Sequence, residues 1–405
     1  MNDNNAYWSP ASKNYKIKDQ KLKEILKEKL LNIPISKSVE IESMTLFYNK
    51  KEDAFVVRAR SSEGAEGFAV PNPRINYLYP ILLQRVFPYF TGKDAREIEN
   101  LIDGIYRYKS NYKLTGLALW NCVAWAEFSI LDMLGRICQK SIAEMFGGKI
   151  REKIDIYLAS YRRDTTPEEE VELLKQEIQD QDVKAVKIRV GGRMSNDRDS
   201  MPGRTDNLIP LVRKELGDNI DIHADANGSY SVDKAVEVAR MLEEIDAVFF
   251  EEPCPLDHLE ETKKVNQKVN IPIAFGEQET SMRRFRWLIK NNALRIIQPD
   301  LEYNGGFIRC TRVAKMAKLA KMPITPHISG KYAFIYSSNF TSYIENIGYY
   351  QEYNGIDKIN PLMKDNYQIN SGVVNIPEGN GLGLGKKIKK VLAEARQIKP
   401  GKDLL

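Results

Sequence analysis

Residues 220–253 read IDIHADANGSYSVDKAVEVARMLEEIDAVFFEEP, and residues 254–277 continue CPLDHLEETKKVNQKVNIPIAFGE. Three short apolar runs, at 220–226, 247–252 and 271–276, are separated by charged stretches of helical length. Buried strands alternating with amphipathic helices predict parallel βα units. Each run also ends in acid: Asp225 in His223-Ala-Asp-Ala-Asn227, Glu251 in Phe-Phe-Glu-Glu-Pro, and Glu277 in Phe-Gly-Glu.

The same alternation extends in both directions, with apolar runs at 154–159 and 183–190 before this stretch and at 294–299, 324–327 and 347–353 after it. Eight strands over roughly 200 residues predict an α/β fold of (β/α)8 type. A doubly wound sheet would give part of the pattern, but no Gly-x-Gly-x-x-Gly turn follows an early strand.

The first third is written differently. Strand-like runs at 39–47, 54–60 and 67–70 are separated by Asn-Lys-Lys-Glu-Asp and Ser-Ser-Glu-Gly turns, and helical spacing then holds from about 80 to 146, ending at Gly147-Gly148. The expected organisation is an α+β capping domain at 1–148, with 1–36 as an extension, then a barrel at 149–354. A final segment at 355–405 is expected to return to the cap and complete it. The extension reads either as packing against a neighbouring copy or as a mobile arm.

Composition narrows the function classes. The 60 basic and 55 acidic residues are interspersed, with only short lysine clusters near 386–390, so no nucleic-acid partner is expected. No apolar tract long enough to span a bilayer is read, and the polar N-terminus lacks a signal pattern, so the expectation is no membrane and a cytoplasmic location. The four cysteines, Cys122, Cys138, Cys254 and Cys310, lie far apart, which fits reduced structural thiols. A metal must be sought among oxygens.

Barrel active sites lie at the C-terminal ends of the strands, where Asp225, Glu251 and Glu277 fall. A rim carboxylate can equally pair with a lysine or cap a helix. Three on successive strands, spaced 26 and 26 residues apart, make coincidence improbable. Close carboxylates resist ionisation together, and a divalent cation resolves that cost. Oxygen-only ligation favours magnesium over zinc.

The sixth strand ends in Gln298-Pro-Asp300, followed by Asn304-Gly-Gly306, and the seventh in Thr325-Pro-His327. An Asp bonded to one imidazole nitrogen fixes the tautomer and raises the basicity of the other, as a general base requires. His258 reads as structural. His223 shares an inward face with Asp225 and Asn227 and either packs in the barrel interior, the favoured reading, or bonds a ligand.

Asp225, Glu251 in Glu-Glu-Pro and Gly276-Glu277 resemble the metal-ligand pattern of the mandelate racemase and muconate-lactonizing branch of the enolase superfamily, and the likeness spans nearly the whole chain. It includes residues 125–148, which look like the family's stretch joining cap to barrel, although Glu127 stands where an Asp is common. The resemblance implies one Mg2+ held by Asp225, Glu251 and Glu277, and an Asp300–His327 dyad as base. On the second strand, Lys187-Ile-Arg189 matches the family's Lys-x-Lys motif except that arginine replaces the commonly catalytic lysine. Guanidinium is a poor base, so Arg189 is expected to clamp an anionic oxygen and Lys187 to help hold the substrate carboxylate. Glu352, with Glu345 as competitor, corresponds to the family's acid near that carboxylate.

One base opposite an arginine favours elimination or ring closure over two-base racemisation. The first reading is therefore a sugar-acid dehydratase giving a 2-keto-3-deoxy acid, and the alternative is a cycloisomerase of an anhydro-sugar acid or lactone. A racemase or epimerase and a silent sugar-acid binding protein rank lower. Substrate contacts are expected from Arg74 and Tyr77 in the cap, from Asn227, and from loop 191–206, which carries Arg193, Arg198 and Arg204. The family's habits imply a homo-oligomer.

Overall fold

The computed structural model describes residues 7–353, 367, 369–376, 378–385 and 387–399. The cap is built on an antiparallel sheet of β1 (Ile41–Asn49), β2 (Ala54–Ser61) and β3 (Glu66–Ala69). Its β3 edge lies directly on the helix Leu117–Cys138: a Cβ on Gly67 would fall 2.1 Å from the Met133 nitrogen, so only glycine permits this approach. That helix is long and apolar enough to cross a bilayer, contrary to the sequence expectation of no such tract. It is instead a core helix, with 89% of its apolar window buried inside the protein.

The barrel comprises β4 (Lys153–Ala159), β5 (Ala185–Arg189), β6 (Asp221–Asp225), β7 (Phe249–Glu251), β8 (Ile273–Phe275) and β9 (Ile296–Ile297), all paired in parallel order. The seventh position is held only by single parallel bridges, Ile297 to Ile324 and Asp300 to His327. Pro323 and Pro326 flank this segment and supply no N–H to a ladder, which accounts for its thinness. Ile324 then bridges Ile347, and β10 (Gln351–Tyr353) pairs with β4, setting Glu352 beside Tyr157 and closing the ring.

The C-terminal segment does two things where one was expected. β11 (Ile369–Asn370) and β12 (Val373–Asn375) form a hairpin antiparallel to barrel strand β4. Only then does β13 (Arg396–Ile398) pair with β1, completing the cap sheet. The expected boundary at 354 falls outside the described residues.

From residue 7 onward the N-terminal extension is not a free arm; it straps the bottom of its own barrel. Trp8 N donates to Ile347 O at 2.9 Å, Ala11 N to Arg295 O at 3.0 Å, and the Tyr7 hydroxyl to Asp155.

Register layers the interior. Lys187, His223 and Phe249 are lateral neighbours in one layer, and Arg189, Asp225 and Glu251 in the layer above. His223 thus sits inside the barrel, its ring 4.2 Å from that of Phe249 and 4.6 Å from that of Tyr157, with neither nitrogen bonded. Burial, reinforced by the Lys187 charge, pushes its pKa down to about 3. The unfolded chain therefore binds a proton below about pH 6.5 that the folded chain refuses, and the neutral ring's contribution is lost as pH falls towards 3. The stability advantage of the wild type over His223→Leu should shrink by about 1.4 kcal/mol per pH unit below that point, measured by urea unfolding from pH 7 to 5. A pH-independent difference would mean that the buried ring is not held neutral.

Candidate active site

The layer Arg189–Asp225–Glu251 opens at the C-terminal end of the barrel, and Glu277 follows two residues beyond β8. Carboxylate oxygens of Asp225, Glu251 and Glu277 all lie within 4.8 Å of one another, and all three residues are buried. Burial and the charges of Glu277 and Glu352 raise the Glu251 pKa against the pull of Lys187. Adjacent Glu252 is raised well above the usual range by burial, then by Glu277 and Glu251. Glu251 Oε1 and Glu277 Oε2 are buried without a hydrogen-bond donor. Undonated carboxylate oxygens converging in an all-oxygen cluster fit a hard divalent cation of the magnesium type.

Two basic side chains of β5 face this cluster, and both are already engaged. Lys187 Nζ, fully buried, donates to Glu251 Oε2 at 2.8 Å and lies 3.2 Å from Glu352 Oε1. Burial works against its charge, but Glu251 and Glu352 outweigh it and hold the ammonium protonated. Arg189 forms an ion pair with Asp225 through Nη1 and donates Nε to Ser160 O at 2.7 Å. Both side chains thus brace the carboxylates in this structure. Glu352 is fully buried, whereas its competitor Glu345 pairs with Lys318 on the surface.

His327 Nδ1 lies 2.8 Å from Asp300 Oδ2, and Asp300 Oδ1 accepts from the backbone N–H groups of Glu302 and Tyr303 at 2.7 and 2.9 Å. The carboxylate is thereby fixed, and it sets the Nδ1–H tautomer. His327 Nε2 faces the cluster, 3.3 Å from Glu277 Oε2. Burial alone would depress the imidazole pKa, but Glu277, Glu352 and Asp300 push it up to about 10.

A cavity of about 470 Å3 opens above the dyad, with Arg74, Tyr161, Arg193, Asn227 and Tyr303 in its wall beside His327. Asn227 does not offer its amide freely. Its N–H and Nδ2 orient Asp225 at 2.7 and 3.1 Å, and its Oδ1 accepts from Arg163 at 2.8 Å and Arg189 at 3.2 Å. Tyr77 is highly exposed and forms no part of the cavity wall. Arg204 is buried and donates to Arg189 O at 2.8 Å and Thr165 O at 2.7 Å, so it braces the loop from below. Arg198 bonds its own loop at Ser195 O. His258 lies exposed beside Glu261.

Several participants escaped the sequence reading. Arg163 follows the first barrel strand, and the rule applied to the other strand ends would have found it. Gln298 donates to Glu251 Oε2 at 3.2 Å. Glu302, two residues beyond Asp300, accepts from Asn72 N at 2.9 Å and Trp125 Nε1 at 2.7 Å, bolting the cap loop that carries Arg74 to the barrel.

Glu127 explains the Asn304-Gly-Gly306 motif. Its carboxylate accepts from Phe307 N at 2.7 Å and Ile308 N at 2.9 Å, capping the helix Phe307–Leu319 across the domain junction. Gly306 has φ 105°, and a Cβ there would lie 1.9 Å from Glu127 Oε2. Gly306→Ala is expected to cost about 3 kcal/mol or more, read as a fall in the urea midpoint. A change below about 0.5 kcal/mol would mean that the cap yields freely.

The model of the Enolase C-terminal domain-like family matches residues 169–388. Among curated proteins, the chain is similar to the arabinonate dehydratase of Saccharolobus solfataricus, 25% identical over 73% of this chain and 78% of that protein. It is also similar to the D-xylonate dehydratase of Haloferax volcanii, 23% identical over 75% of this chain and 76% of that protein. Among solved structures, a candidate racemase from Roseobacter denitrificans is 31% identical with a TM-score of 0.82, covering 89% of this chain and 99% of its own. A mandelate racemase/muconate lactonizing protein from Paracoccus denitrificans, solved with magnesium, has a TM-score of 0.80 at 22% identity, covering 90% of this chain and 100% of its own.

Proposed function

The chain belongs to the enolase superfamily, and on that premise we propose that it is a magnesium-dependent hydro-lyase that removes water from a sugar acid to give a 2-keto-3-deoxy acid. The observation that carries this reading is the Asp300–His327 dyad, whose Nε2 faces three converging carboxylates. The dehydratase names of the curated relatives and the magnesium of the Paracoccus structure support it.

Asp225, Glu251 and Glu277 would hold the cation. When bound, it supplies positive charge beside the substrate carboxylate and offsets the acid charge that keeps His327 protonated. Neutral His327, with Nδ1–H donated to Asp300, accepts the proton next to the substrate carboxylate at Nε2. The same imidazolium then delivers that proton to the β-hydroxyl as its C–O bond breaks. One water is lost, and the enol left behind tautomerises to the ketone.

Lys187 is locked as a cation between Glu251 and Glu352 and takes no proton. Arg189 keeps Asp225 in place. With no second base opposite His327 among the described residues, elimination is favoured over the racemisation suggested by the name of the Roseobacter protein. The test is magnesium-dependent dehydration across a panel of acid sugars, scored by semicarbazide detection of 2-keto acids. Formation of a keto acid supports the reading. A panel that yields none, while an anhydro-sugar acid or lactone is isomerised, would replace it with cycloisomerisation.

A further inference from the structure

The deep half of the site pairs every one of its cations with acid: Lys187 with Glu251 and Glu352, Arg189 with Asp225, and His327 with Glu277 and Asp300, three cations against five carboxylates whose excess a divalent cation would offset. The cavity wall above it does not. Among the described residues, neither Arg74 nor Arg193 lies within ion-pair distance of any carboxylate, although both line the cavity that contains His327.

Arg74 is held in place rather than left to roam. Its guanidinium lies 4.4 Å from the centre of the Tyr303 ring, which is itself 6.0 Å from the His327 ring. Its loop is pinned by Asn72, which donates from its backbone N to Glu302 at 2.9 Å and from Nδ2 to Ser329 Oγ at 3.0 Å. Behind Arg193 lies Arg163, largely buried, donating to Asn227 Oδ1 and to the backbone oxygens of Gly191 and Asp225, again with no carboxylate partner. A wall of guanidinium groups without carboxylate partners, across a cavity from a centre whose own cations are all taken up, is complementary to a second negative charge on the ligand.

We propose that the substrate is a sugar diacid, with the carboxylate remote from the reacting carbon held by Arg74 and Arg193. This deepens the sugar-acid reading above and rests on it. The named dehydratase relatives act on mono-acids, so the assignment separates this chain from them.

The test compares five- and six-carbon aldonates with aldarates matched at every stereocentre, using the magnesium-loaded full chain. The expected result is a kcat/KM at least tenfold higher for the diacid of a matched pair. Arg74→Gln and Arg193→Gln should each collapse that ratio by about tenfold, chiefly through KM. Arg198→Gln, on the same loop but turned to its own backbone, should preserve it. Equal or better turnover of the mono-acid would overturn the proposal, as would preference for an aldonate carrying a terminal phosphate.

Calorimetric binding to His327→Asn with magnesium separates the two readings. If no acid sugar is dehydrated, tighter binding of diacids that weakens as salt rises still supports the diacid site, whereas equal affinities refute it.

Discussion

His327→Asn is expected to lower kcat by about 10³-fold or more, below detection in an endpoint assay, while the protein stays folded and still binds its acid ligand. A positioned general base contributes on the order of 10²–10⁴. Here one imidazole serves both proton transfers, so the upper part of that range applies. Asparagine keeps a donor for Asp300 Oδ2, which His327 Nδ1 approaches at 2.8 Å, so the bond that fixes the loop can survive. Deuterium uptake next to the substrate carboxylate in D2O isolates the chemical step from product release and should vanish with turnover. A variant retaining kcat within tenfold of wild type would remove His327 from the chemistry. Loss of ligand binding alongside kcat would assign it to binding instead.

Magnesium should act on stability as well as on activity. Asp225, Glu251 and Glu277 place acid oxygens within 4.8 Å of one another, and Glu252 adds a fourth buried acid beside them. Like charges about 4 Å apart repel by about 4 kcal/mol at an effective dielectric constant near 20. Lys187 and Arg189 offset part of this repulsion, and a divalent cation offsets more. A ligand present at a hundred times its Kd stabilises the folded state by about 2.7 kcal/mol, so magnesium should raise Tm by several degrees and EDTA should reverse the shift with loss of turnover. Asp225→Asn should abolish both responses. If the wild-type Tm is indifferent to magnesium up to tens of millimolar while calcium and manganese also fail, the three carboxylates are not a cation site.

Much of this site was legible in the sequence because its parts are local. A carboxylate at the end of an apolar run marks a barrel strand's active end whatever the rest of the chain does. The parallel register then sets Asp225 beside Glu251 as lateral neighbours. Asp300 and His327 were likewise readable from the ends of neighbouring strands, and the bridge between them brings their side chains together. The eightfold alternation fixed the architecture, although two prolines reduce the seventh strand to isolated bridges.

What a side chain does once it arrives was decided by distant partners. Lys187 and Arg189 read as substrate clamps from their strand, but their charges are taken up by Glu251, Glu352 and Asp225. Arg204 and Arg198 share a loop with Arg193, yet only Arg193 reaches the cavity wall, because backbone oxygens capture the other two. The strap under the barrel, the hairpin added to β4 and the Asn72–Glu302 bond across 230 residues leave no periodic trace. Periodicity records which face of an element is buried, a property of neighbouring residues. Which charge answers which across a closed barrel depends on strand register and on loops meeting from opposite ends of the chain, and only the tertiary fold sets those distances.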